Sequence, residues 1–131
     1  MDLKELLAPL AKDVAVNLNQ ANGTEISIYT IPTGKVGLPI AIVLHDFSAA
    51  VSNAVITVGK TGGSCDEFLS DQTLTNISAA GDFLILMPVP AAIPVKLVEF
   101  AAAEVIGIEI TTTEGSALTC KADVYGRLRD A

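Results

Sequence analysis

Tryptophan is missing from this 131-residue chain, and histidine occurs once, at His45. Two tyrosines and four phenylalanines are all the aromatics, which counts against the stacked platforms that sugar-binding surfaces use. A cupin-like metal site needs several histidines beside a carboxylate. His45 alone does not supply that set, so no metal and no cofactor is expected. Basic residues are also scarce: eight Lys and Arg stand against 15 Asp and Glu, giving a net charge of −7 and a pI near 4.4. With no basic stripe to neutralise phosphates, nucleic acid is not an expected partner. No apolar run reaches the roughly 18 residues of a membrane span. The longest candidate, "FLILMPVPAAIPV", is broken by Pro88, Pro90 and Pro94. The opening "MDLKELLAPLAKD" has acids at Asp2 and Glu5 and no uninterrupted apolar core, so it is not read as a signal peptide, and synthesis in the cytoplasm is expected. Cys65 and Cys120 make no framework and are expected as free thiols. Cys120, between Thr119 and Lys121, suits a small core residue on a strand.

What is present is apolar residue. Half the chain is hydrophobic and the mean hydropathy is +0.52. With membrane spans excluded, the surplus is expected to be buried against other protein.

Several short motifs invite chemistry and fail a physical test. "VITVGKTGG" at 55–63 resembles the end of a phosphate loop, but Ala54 stands where the first glycine must be. Asp66 and Glu67 follow, and they would repel a phosphate. The glycines Gly59, Gly62 and Gly63 then read as a sharp turn, with Lys60 a solvated or subunit-facing charge. "PTGKVG" at 32–37 fails in the same way, with Val36 where Ser or Thr must hold magnesium. His45 could serve as a base, yet no serine lies in a Gly-x-Ser-x-Gly elbow. Asp46 follows His45 in a predicted strand, so alternation directs the two side chains to opposite faces. Asp66, Glu67 and Asp71 lack the spacing of a calcium loop. Taken together, these failures predict a protein that is not an enzyme.

Leu3, Leu6, Leu7 and Leu10 share one helical face and predict a short helix over residues 2 to about 12, limited by Pro9. From residue 14 onwards the chain reads as strand: 14–19, 25–31, 38–47, 53–59, 72–78, 82–89, 94–100, 104–114 and 116–128. The last two are expected to form a hairpin with Gly115 in its turn. Eight or nine short strands at this spacing predict an all-β fold, an antiparallel jelly-roll-like β-sandwich of about eight strands. The expected organisation is an N-terminal helix or arm over 1–20 and a β-sandwich domain over 21–131.

The stretch "FLILM" is apolar on both faces, with Phe83, Ile85 and Met87 pointing one way and Leu84 and Leu86 the other. A two-layer sandwich buries one face, so the second needs a cover: a neighbouring subunit or the leucine helix. Phe83, Leu84, Leu86 and Phe100 are the residues expected at subunit contacts, with Leu3, Leu6, Leu7 and Leu10 gripping a neighbour.

"IYTIPTGKVGLPIAIVLHDFSAAVSNAVITVG" resembles the strand–Pro-x-Gly-Lys–strand opening of small β-sandwich proteins in the particles of tailed bacteriophages. The closing "EVIGIEITTTEGSALTCKADVYGRLRD" is similar to their last hairpin, in which a long strand ends in an aromatic–glycine pair, here Tyr125 and Gly126. The resemblance covers about residues 25–128. It implies a structural virion protein of the capsid cement or decoration type, a homotrimer on a major capsid protein, located in the virion. The alternative is a head-completion, tail or fibre-associated module binding a receptor or glycan, in which Asp66 and Asp71 would line the site.

Overall fold

Isoleucine at every second position defines the middle of the sandwich. Ile106, Ile108 and Ile110 are fully buried on one strand, and Ile56 and Val58 face them from the next. In the computed structural model, which describes residues 8–88 and 97–131, there are eight strands. They are β1 (Ala11–Asn17), β2 (Glu25–Thr30), β3 (Lys35–His45), β4 (Val55–Lys60), β5 (Leu69–Thr73), β6 (Leu84–Leu86), β7 (Val105–Thr112) and β8 (Thr119–Asp130). Two four-stranded antiparallel sheets, ordered β1-β8-β3-β6 and β2-β7-β4-β5, pack face to face. Each chain-neighbour pair except β4–β5 is split between sheets, which is the winding of a jelly roll. The all-β jelly-roll-like sandwich expected from strand spacing is therefore the observed fold.

Four details differ from expectation. Among the described residues there is no helix. Ala8–Leu10 are irregular and Ala11 already begins β1, while Leu3, Leu6 and Leu7 lie outside the described residues. Because β1 pairs with β8, residues 11–17 of the expected arm belong to the sandwich. The strand expected over 72–78 is shifted to Leu69–Thr73, and of 94–100 the described part contributes only an isolated bridge between Phe100 and Gly37. Finally, β7 and β8 form no hairpin but lie in opposite sheets.

Residues 113–118 carry the chain across the sandwich between β7 and β8. Glu114 anchors this corner. It is 3 % exposed, its N–H donates to Leu18 O at 3.2 Å, and its carboxylate accepts the N–H groups of Ser52, Asn53 and Ala54 at 2.6–3.0 Å. A local turn signal at Gly115 cannot report a carboxylate that recruits a loop 60 residues away.

The stretch that resembles a phosphate loop has a structural explanation. Gly59 is a strand residue, not a turn residue; a Cβ there would run into the Glu67 carboxylate and stand 2.6 Å from Asp66 N. Its absence lets residues 61–68 fold back over the sheet. Gly62 has φ +91° and makes the reversal. The Gly62 N–H donates to the Glu25 carboxylate at 3.0 Å, and Lys60 N–H donates to Glu67 at 2.8 Å. Glutamates thus occupy the amides that would cradle an anion. Lys60 is not a free charge: its Nζ lies 3.2 Å from Glu104 Oε2 and 5.4 Å from the centre of the Phe100 ring.

Candidate functional site

Two features of the outer surface are built by the sheet ordered β1-β8-β3-β6. The first is apolar. In β6 the alternation places Leu86, 4 % exposed, and Leu84 against the core. Phe83, Ile85 and Met87 face outward at 64 %, 52 % and 45 % exposure. Val43 of β3 lies directly opposite Ile85, and paired residues share a face, so the apolar surface continues onto β3.

Of the residues expected at subunit contacts, Phe83 is on this surface and Leu84 is partly buried. Leu86 and Phe100 are buried in the chain's own core, so they have no surface to offer a neighbour. Leu10 packs on that same core. Leu3, Leu6 and Leu7 fall outside the described residues. Ile85 and Met87, by contrast, belong to the outward set that the alternation of "FLILM" already separated.

The second feature is polar and borders the first at the C-terminal end of β3, two residues beyond Val43. His45 is the last residue of β3, Asp123 lies on the outward face of β8, and Asp13 sits in a bulge of β1 between the paired residues Ala11 and Val14. Because β8 runs between β1 and β3, the three side chains line up across three adjacent strands. His45 Nε2 is 3.0 Å from Asp123 Oδ1 and 3.5 Å from Asp13 Oδ1. The Asp13 N–H donates to the same Asp123 oxygen at 2.8 Å.

Asp46 also joins the cluster, contrary to the alternation argument. Its φ of 53° takes it out of the strand conformation, and Oδ2 stands 3.6 Å from His45 Nδ1 and 3.6 Å from Lys121 Nζ. Asp13, at φ 54°, is turned in the same way. Both lie in the left-handed region that aspartate tolerates better than most residues.

The electrostatics follow from this crowding. The Asp123 hydrogen bond, against the opposing effect of burial, raises the His45 pKa above its ordinary value, with Asp46 adding to the rise. For Asp123 burial is the largest single influence and pushes upward. The Asp13 N–H, His45 and Lys12 together outweigh it, and the carboxyl is held below the usual range. The partners of His45 among the described residues are all carboxylates. The imidazole is therefore engaged with acids and not with a hydroxyl or thiol nucleophile. Burial pushes both thiols up to about 12, at Cys65 with Glu25, Glu109 and Glu67 adding to it. Both are free and buried, so neither is a nucleophile at neutral pH.

Sequence reasoning singled out His45 and Asp46 but missed Asp13 and Asp123. Asp123 was accessible in principle, since Cys120, Ala122 and Val124 fix the inward phase of β8 and leave Asp123 outward. Asp13 depends on a bulge that no local pattern announces. Asp66 lies in the exposed loop before β5 and Asp71 is an exposed residue of β5. A shallow cleft elsewhere on the sheet is lined by Val36, Leu38, Glu99, Arg127 and Arg129. There Arg129 is already bonded to Glu99 at 3.1 Å. Neither comparison with known proteins supplies a relative: no protein-family model matches the chain, and no curated protein matches it.

Proposed function

We propose that this chain is a structural protein that works by binding other protein, including further copies of itself, through the outward face of β6. In that role it is not an enzyme. A capsid cement or decoration protein of a tailed phage particle, bridging capsid subunits as a homotrimer, is the form of this reading that the sequence resemblance favours. The observation that carries it is the exposure of Phe83, Ile85 and Met87 together, at 64 %, 52 % and 45 %. Contiguous exposed apolar surface on a soluble domain marks an interaction site more often than scattered single residues do. Jelly rolls occur in capsid proteins, lectins and cupins alike, so the fold lends no preference among functions.

Light scattering on the purified chain tests the reading. A trimer at micromolar concentration is expected, reduced to monomer by Ile85→Glu. A wild-type chain that stays monomeric over that range overturns the self-association. Co-purification with phage particles, and heat-fragile particles when the chain is lost, are expected of cement. Intact particles that lose infectivity would move the protein to the tail or fibre.

A further inference from the structure

We infer that His45, Asp123 and Asp13 form a binding site for a divalent first-row transition metal ion, with Zn²⁺ the best-suited. The ligand atoms of the three residues all lie within 4.8 Å of one another. Carboxylate oxygens stand 3.0 and 3.5 Å from His45 Nε2. Ligands held about 2.0–2.2 Å from one ion, at tetrahedral or octahedral angles, are separated by roughly 3.0–3.5 Å. The spacing from the imidazole to each acid is thus already that of a coordination sphere. In the metal-free chain a proton between His45 and Asp123 holds the groups together, and the ion takes the place of that proton.

The donor set selects the class of ion. One imidazole nitrogen with two carboxylate oxygens suits zinc and its neighbours. Mg²⁺ and Ca²⁺ prefer oxygen alone, and no thiolate is at hand to favour softer ions. The surroundings fit as well. Asp46 Oδ2 faces His45 Nδ1 at 3.6 Å, so once the ion displaces the proton at Nε2 this carboxylate is placed to hold the remaining ring hydrogen on Nδ1. This is the outer-sphere carboxylate that commonly orients a metal-binding histidine. Lys121 in turn stands 3.6 Å from Asp46. The Asp13 side chain is 46 % exposed, whereas that of Asp123 is 14 % exposed. An ion can therefore enter from solvent on the Asp13 side and retain water in its remaining positions.

The test uses the untagged chain, stripped with chelator and exchanged into buffer at pH 7.5. Calorimetry with ZnCl₂ should give one ion per chain, and Co²⁺ should give visible bands of nitrogen and oxygen ligation. His45→Ala should abolish both, and Asp13→Asn should weaken Zn²⁺ binding at least about tenfold. Circular dichroism verifies that each variant remains folded. If His45→Ala does not fold, the wild type still decides. The single histidine gives one set of ring proton signals, and Zn²⁺ must shift them. Unmoved signals, undiminished binding in folded His45→Ala, or a sulfur-to-cobalt band that places the ion on a cysteine would each overturn the assignment. None of these readouts depends on self-association, so this site and the β6 surface stand or fall separately.

Discussion

Among the described residues two polar side chains, Glu114 and Thr57, are buried in this core, and they make opposite contributions. Glu114 is 3 % exposed and its carboxylate accepts three backbone N–H groups. Thr57 is 5 % exposed, and its Oγ1 has no hydrogen-bond partner among the described residues. Hydrogen bonds to a charged group contribute about 1.5–3 kcal/mol each, and a buried donor left unmade costs a comparable amount. Glu114→Ala should therefore lower the unfolding free energy by about 3 kcal/mol or more, measured by urea denaturation at pH 7. Thr57→Val keeps the shape and removes the lone hydroxyl, and should raise stability by about 1 kcal/mol. An unchanged or lowered midpoint would mean that the hydroxyl is satisfied in solution. The pH dependence of Glu114 has a definite sign. Burial is the largest single influence on its pKa and raises it, but the N–H groups of Asn53, Ser52 and Ala54 together lower it below the ordinary glutamate value. In the unfolded chain the group titrates at about 4.3. Its contribution is complete above that value and is lost as pH falls through the lower folded value. Wild-type stability should consequently fall more steeply than that of Glu114→Gln on acidification from about pH 5.

Among the elements, β3 carries the most information about what could be read in advance. Its inward residues Ile42 and Leu44 are fully buried, as the alternation requires, and the same logic located most of the strands. Alternation gives the face of a strand but not its partner, because pairing is set by distant segments. This is why the alternation and Gly115 predict a β7–β8 hairpin although each strand belongs to a different sheet. It also fails at irregular backbone: the bulge at Asp13 and the positive φ of Asp46 assemble the histidine cluster, and neither leaves a periodic trace. Pro39 is a further irregularity. Proline is excluded from central strands except at bulges, and the β3–β8 register does shift between Pro39 and Ala41. Gly126 is the residue opposite Pro39. A Cβ there would collide with Leu38 O and stand 2.9 Å from Pro39 Cα, both backbone atoms that cannot swing aside. The aromatic–glycine pair that sequence reading treated as a family mark thus has a steric reason at Gly126. Gly126→Ala should destabilise the chain by about 1–3 kcal/mol, the usual range for overpacking. Chemical denaturation measures it, and a change below about 0.5 kcal/mol would show that the strand pair adjusts freely.

For the molecule as a whole, two long-range properties oppose each other: an apolar outward face on β6 and a net charge of −7. Burying a few hundred Å² of apolar surface yields several kcal/mol at about 25 cal/mol per Å², independent of salt to first order. Bringing together chains of the same charge costs electrostatic energy that does depend on salt, since the Debye length falls from about 30 Å at 0.01 M to about 10 Å at 0.1 M. Association through the β6 face should therefore strengthen as ionic strength rises, the reverse of an assembly held by ion pairs. Sedimentation velocity from 10 mM to 500 mM NaCl reads this directly. The wild type should move toward the larger species with added salt. Ile85→Glu, which places a charge at the centre of the face, should remain monomeric throughout. Asp71→Ala, at an exposed position of β5 in the opposite sheet, should follow the wild type with a slight shift toward assembly, because it removes one negative charge. Dissociation of the wild type on adding salt would reject the apolar face as the contact and direct attention to charged surface such as Arg127, Arg129 and Glu99.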